Sequence, residues 1–193
     1  MLVPAIVYKE ELIKKFDRMR YTDKAVWFNG CIENGGIQIQ EEPSDGKFQY
    51  AIVEHKPIRH YTGNPRVPYS IIGYEDVVVG YLGFYIGWYD RGVWGIGLIS
   101  FEDKPNPAVM SAVREAMRMF KEYDLHRIEF RAIEGNPAVE RYDKIAKKFA
   151  SKNPYSFTRL KMTDTFRDRR GNYRDSYIYE FLKIEPRQKE IKG

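Results

Sequence analysis

Residues Leu125-His126-Arg127-Ile128-Glu129-Phe130-Arg131, followed by Asn136-Pro137 and then by Tyr142-Asp143-Lys144-Ile145, do most to narrow the fold of this chain. Apolar and polar residues alternate through the first part, the signature of a strand spanning His126 to Ile133. Asn136-Pro137 combines an N-cap side chain with proline at the first helical position. Beyond it Val139, Tyr142, Ile145, Ala146 and Phe149 recur at helical spacing. A strand that passes through a short turn into an amphipathic helix requires the helix to pack back on a sheet. The same start chemistry appears earlier at Asn106-Pro107, opening a helix with Val109, Val113, Ala116, Met117 and Phe120 on one stripe.

The neighbouring segments extend this pattern. Val77 to Tyr89 is almost continuously apolar and aromatic, as expected of a central strand covered on both faces. Asp90-Arg91-Gly92 supplies a turn, and Val93 to Phe101 returns as an adjacent antiparallel strand. Gly95 and Gly97 inside that strand suggest either a bulge open to close approach or relief of packing against Trp88 or Trp94. After Asn153-Pro154 a long hairpin is expected, Phe157 to Phe166 going out and Tyr173 to Lys183 returning. The order strand, strand, helix, strand, helix, strand, strand predicts an α/β (α+β layered) domain with a mixed, mostly antiparallel sheet flanked by helices. It does not match a doubly wound nucleotide fold.

Upstream, Lys9 to Met19 reads as a helix, with Leu12, Ile13, Phe16 and Met19 at helical spacing. Lys24 to Phe28 and Gly36 to Gln40 read as short strands around an Asn34-Gly35-Gly36 turn, and Phe48 to Glu54 as another strand. Lys56 to Ser70 carries Pro57, Pro65, Pro68 and Gly63-Asn64, and reads as an irregular loop. The 193 residues are expected to form one domain, with a less defined part over 1–76, a core over 77–183 and a charged tail over 184–193.

Composition removes several classes of function. No apolar run approaches the ~20 residues that a membrane helix needs. Met1 to Tyr8 is apolar but lacks a basic leader and runs straight into Lys9-Glu10-Glu11, unlike a signal peptide. Cys31 is the only cysteine, so no internal disulfide can form, and a cytoplasmic location is the default expectation. His55, His60 and His126 have no partner at metal-ligand spacing. The net charge of +5 is a mild bias toward anions.

From Val77 to Leu182 the chain resembles the GCN5-related N-acetyltransferases, and within them the ribosomal-protein alanine acetyltransferase branch. The resembling pieces are Gly80-Tyr81-Leu82-Gly83, Gly95-Ile96-Gly97, Phe120 ahead of Leu125 to Glu129, Asn136, and Gly171-Asn172-Tyr173-Arg174-Asp175-Ser176-Tyr177. The resemblance implies the acyl-CoA N-acyltransferase fold, with acetyl-CoA as donor between two parallel strands that splay apart. It implies contacts from Ile99, Ser100, Phe101, Lys104, Ala108, Val109 and Asn136 to the cofactor. Tyr142 would protonate the departing thiolate, and Glu102 or Asp103 would serve as base for a small-molecule or peptide amine. Backbone amides near Ile99 to Phe101 would hold the carbonyl oxygen. Tyr85, Trp88 and Tyr89, with the segment around Tyr61 and Tyr69, would line the acceptor site.

Two departures stand out. The family's glycine-rich phosphate loop is replaced by Glu102-Asp103-Lys104-Pro105-Asn106-Pro107-Ala108-Val109, where prolines remove donors and carboxylates repel phosphate. Tyr142 also lies one position nearer to Asn136 than is usual, and a one-residue slip within a helix turns a side chain by ~100°. A second class of function is a non-catalytic binding module. Arg159, Lys161, Arg167, Arg169, Arg170 and Arg174 interleave with Phe166 and Tyr173 on the last hairpin, a pattern that suits nucleic acid, diluted by Asp164, Asp168 and Asp175.

Overall fold

The computed structural model describes residues 1–20, 22, 37–41, 46–168 and 171–184. In chain order these form β1 (Leu2–Pro4), a 3-10 turn at Ala5–Tyr8, α1 (Lys9–Met19), β2 (Lys47–Asn64), β3 (Val67–Gly87) and β4 (Gly92–Ser100). There follow α2 (Pro107–Glu122), β5 (Arg127–Ile133), α3 (Val139–Lys152), β6 (Tyr155–Arg167) and β7 (Tyr173–Lys183). One seven-stranded sheet runs in the order β1-β2-β3-β4-β5-β7-β6. Every neighbouring pair is antiparallel except β4 and β5, which run parallel. The mixed, mostly antiparallel α/β architecture expected from the element order is the one observed.

Alternation along β3 divides the core between two layers. Leu12, Phe16 and Met19 of α1 pack with Ala51, Val53, Val78, Tyr81 and Ile99 on one face of the sheet. On the other, Val109, Ala112, Ala116 and Phe120 of α2 meet Ile52, Leu82, Phe84 and Ile86. Burial on both faces explains why the run from Val78 to Phe84 has no polar side chain except the Tyr81 hydroxyl, which accepts a hydrogen bond from Gln49 Nε2 at 2.9 Å.

The segment expected to be an irregular loop, Lys56 to Ser70, is instead the outer part of the β2–β3 hairpin. Its ladder runs from Lys56↔Glu75 to Asn64↔Val67, closing on the Pro65-Arg66 turn, where Asn64 Oδ1 accepts the Arg66 amide at 2.9 Å. The prolines misled because they read as breakers of a central strand. β1 covers β2 only as far as Ile52, and β4 pairs with β3 only from Gly80 onward. Each outer strand therefore carries a single ladder, and a proline facing the open edge costs no ladder bond. The three-residue β1 was also absent from the expected elements. The expected strand at Lys24 to Phe28 lies outside the described residues, as do the tail from Glu185 onward and Arg169-Arg170. Ile37 to Gln40 forms no strand.

Asn106 caps α2 as anticipated: its Oδ1 accepts the Ala108 amide at 2.6 Å. At the second Asn-Pro the cap serves a turn that precedes the helix. Asn136 Oδ1 accepts the Ala138 amide at 2.9 Å, while α3 begins at Val139. Ala138 already has helical dihedral angles and its carbonyl accepts the Tyr142 amide at 2.9 Å, so Asn136 and Pro137 precede the helical register to which Tyr142 belongs.

Candidate active site

The parallel strands β4 and β5 pair only at Gly92↔Arg127, Val93↔Ile128 and Ile96↔Phe130. Beyond Ile96 the two strands part. The break originates in a bulge centred on Gly95, whose φ of 63° is the left-handed region that favours glycine. Toward β3, Gly95 and Ile96 lie opposite the single residue Phe84; toward β5, Trp94 and Gly95 lie opposite Glu129. A Cβ added at Gly95 would sit 3.1 Å from the Tyr85 ring and meet no atom of Trp88 within 4 Å, so this glycine makes room for Tyr85 and not for Trp88. Gly87 and Gly92 are the positions where an added Cβ would strike the Trp94 ring.

A cavity of about 900 Å³ occupies the gap. Its lining comes from both faces of the sheet. Val113, Ala116 and Met117 of α2 and Tyr142, Ile145 and Phe149 of α3 form one wall, while Gln49, Tyr81, Tyr85 and Trp94 line it from the opposite side. The α3 stripe that reads as core is thus largely a cavity wall: of its residues only Ala146 is fully buried. Such a passage can admit one reactant from each face and let them meet between the strands.

Tyr142 is the polar group that the helix side presents to this passage. Its ring meets Phe130 and Tyr179 edge-on, at centroid distances of 5.7 and 6.4 Å. Its hydroxyl has no hydrogen-bond partner among the described residues. Burial pushes its pKa above the usual tyrosine value, so the hydroxyl is a proton donor at neutral pH. Asn136 lines the cavity as well.

Glu102, Asp103 and Lys104 lie at the N-terminus of α2 and do not line the cavity. Glu102 accepts from Lys56 Nζ and from Asn106 Nδ2, both at 2.8 Å, and these bonds hold its carboxyl below the usual carboxylate range. Asn106, itself buried, also donates to Glu54 Oε2 at 2.9 Å, and Lys56 stands 3.3 Å from that oxygen. Asp103 and Lys104 are exposed. Ser100 Oγ engages the Glu102 backbone at 3.3 Å, and Ile99, Phe101, Ala108 and Val109 pack into the two core layers.

Among the expected acceptor residues, Tyr85 lines the cavity, while Trp88 is set edge-on to Tyr123 at 5.9 Å and Tyr89 is fully exposed. Tyr61 and Tyr69 form a cross-strand pair at the tip of the hairpin, 5.8 Å apart and away from the cavity. Sequence reasoning missed Gln49, Tyr81 and Glu129. Glu129 accepts from Arg127 at 2.8 Å, has Arg131 at 3.7 Å, and with Asp90 supplies the carboxylates of the lining. Only the odd-residue face of β5 could have signalled it, since Arg127, Glu129 and Arg131 share that face opposite the apolar Ile128 and Phe130.

The basic hairpin is largely engaged internally. Arg159 binds Asp143 at 2.8 Å and stacks over Tyr177, Lys161 binds Glu134 and Asp175 at 3.0 and 2.7 Å, and Arg174 binds Asp168 at 3.1 Å. No helix among the described residues is long and apolar enough to cross a membrane, and no cluster of metal-ligating side chains occurs among them.

No protein-family model matches the sequence, and no curated protein matches it either. Solved structures do match. An N-acetyltransferase from Staphylococcus aureus superposes with a TM-score of 0.55 at 12% identity, covering 96% of this chain and 98% of that one. A GCN5-related N-acetyltransferase from Brucella melitensis superposes with a TM-score of 0.54 at 14% identity, covering 94% and 74%. At such identities the likeness speaks to architecture. With its single parallel pair splayed at the centre of a seven-stranded sheet, the chain has the acyl-CoA N-acyltransferase fold of the GCN5-related N-acetyltransferases.

Proposed function

We propose that the protein is an N-acetyltransferase that moves an acetyl group from acetyl-CoA to an amine by direct attack. The observation that carries this reading is the Tyr142 hydroxyl, protonated, without a described partner, and turned into a cavity that crosses the sheet between β4 and β5. The acyl arm of the donor fits the residues present. The β4 edge from Gly97 to Ser100 has no strand partner toward β5, and Gly97, Leu98, Phe130 and Asn136 line the space. Acetyl-CoA supplies, when bound, an acetyl group activated as a thioester. Tyr142 holds a proton at Oη that it can deliver to a thiolate.

The amine is expected from the opposite face. Glu129 is the carboxylate we assign to receive its proton, because it lines the cavity from that side, whereas Glu102 is tied to Lys56 and Asn106 outside it. Gln49 and the Tyr81 hydroxyl, joined at 2.9 Å, orient the acceptor. Thermal melting with and without acetyl-CoA tests the reading. At a hundred times its dissociation constant the donor adds about 2.7 kcal/mol to stability, and the absence of any shift at millimolar donor would sink it.

A further inference from the structure

We infer that the outer β2–β3 hairpin is an arm through which two copies of the chain associate, the two hairpins lying face to face and antiparallel. A two-stranded ribbon alone is marginal in water and needs a layer on one face. The sheet has that layer under α1, on the face that carries Val53 and its partner Val78. The same face continues outward through the pairs His55↔Asp76, Pro57↔Tyr74, Arg59↔Ile71 and Tyr61↔Tyr69. Residues two apart on a strand, and residues opposite one another, share a face. The other face carries Lys56↔Glu75, Ile58↔Gly73 and His60↔Ser70. From Ile58 to Ile72 every residue except Ser70 is exposed. One face of the ribbon is thus aromatic and apolar while the other is mostly polar, the pattern of a strand pair covered on one side.

The strip is of interface size and is its own complement. A standard interface takes about 800 Å² from each partner. Tyr61, Tyr69 and Tyr74, each more than half exposed, supply about 300–400 Å² before Ile71, Pro57 and the Arg59 stem are added. Charge is uneven along the strip. No Asp or Glu lies between Pro57 and Tyr74, and neither Arg59 nor Arg66 makes an ion pair with a described residue. Arg66 stands in the turn at the tip, whereas the base ends in Asp76, hydrogen-bonded to His55 at 2.8 Å and to Tyr8. A strip that is basic at one end, acidic at the other and aromatic between matches itself when reversed. A two-fold axis, the commonest symmetry of oligomers, makes that reversal. It sets each Arg66 end over the acidic end of the other copy and lets each Arg59 lie on tyrosine rings. His60, Lys56 and Glu75 stay on the solvent face. A polyanion would suit the two arginines but would gain nothing from Ile71 and would meet Asp76.

Sedimentation velocity of the full chain tests this, with circular dichroism to confirm that each variant is folded. The parent chain should sediment as a dimer at micromolar concentration. Tyr69→Lys together with Ile71→Lys, both on the strip, should weaken association by about 100-fold or more. His60→Lys, on the opposite face, should leave the dimer intact. Arg66→Glu, in the exposed turn, should weaken it several-fold, and adding Asp76→Lys should restore it. A parent chain that stays monomeric at tens of micromolar would overturn the inference, and a shift of that monomer by a short oligonucleotide would assign the arm to a polyanion instead. A dimer that survives the Tyr69 and Ile71 substitutions, or that His60→Lys breaks equally, would overturn it by placing the interface elsewhere. Failure of Asp76→Lys to restore association would overturn the antiparallel arrangement.

Discussion

The Tyr142 ring stands edge-on to Phe130, with centroids 5.7 Å apart and planes at 78°. Phe130 in turn lies flat on Tyr179 at 4.5 Å, and the Tyr179 hydroxyl donates to Asp143 at 2.7 Å. The side chain proposed to donate the proton is thus braced by a strand on either side of the β5–β7 ladder. Because this bracing is made by rings, Tyr142→Phe should keep it and remove only Oη. Thiol release should slow by about 10²-fold or more, with donor affinity nearly unchanged. Steady-state kinetics beside calorimetry checks both, and unchanged turnover would remove Tyr142 from the chemistry.

Tyr179 is fully buried, and burial together with the Asp143 hydrogen bond raises its pKa well above the tyrosine norm. Tyr179→Phe deletes a hydrogen bond to a carboxylate that keeps its ion pair with Arg159 at 2.8 Å. Urea unfolding should show a loss of about 1–2 kcal/mol with the slope unchanged. A loss below a few tenths would mean that the bond is fully replaced by solvent.

The layered fold was legible in the sequence from Val77 onward because each element there carries its own local signal. Asn106-Pro107, the apolar run to Phe84 and the hairpin from Tyr155 to Lys183 each fix a boundary without help from distant residues. α1 was legible for the same reason. The ribbon from Lys56 to Ser70 was not, since the cost of a proline in a strand depends on how many ladders that strand carries, and this is a property of the sheet. The active-site candidate divides in the same way. Tyr142 could be found from helix periodicity, but Gln49 and Tyr81 reach the cavity only through the β2–β3–β4 pairing, which leaves no local trace. Glu102 and Asp103 drew attention as carboxylates at a strand end. The tie of Glu102 to Lys56 comes from β2, 46 residues away in the sequence.

Gly95→Ala tests the origin of the splay. At a φ of 63° an alanine is strained, and its Cβ would press on the Tyr85 ring at 3.1 Å. Stability should fall by about 1–2 kcal/mol. Asparagine tolerates this backbone region better than alanine does, so Gly95→Asn should cost less. Equal losses in the two variants would show that the contact with Tyr85, and not the backbone, sets the cost.

The Lys56–Glu102 pair gives stability a defined dependence on pH. Hydrogen bonds from Lys56 and then Asn106 hold Glu102 below its ordinary 4.5, so folding favours the ionised carboxylate. Its contribution is complete above that value and is lost as pH falls through the lower value of the folded state. Lys56 is raised above its ordinary 10.5, chiefly by the hydrogen bond to Glu102, so its share is complete below 10.5 and is lost as pH rises through the folded value. Both side chains are about a third exposed, which screens the pair and keeps its effect small. Lys56→Met should therefore melt below the parent protein near about pH 7, and the gap should close on acidification below about pH 4 as Glu102 takes up its proton in both proteins. Melting temperatures recorded across that range decide the matter, and a gap that stays constant as the pH falls would show that Lys56 stabilises the start of α2 through packing of its stem and not through charge.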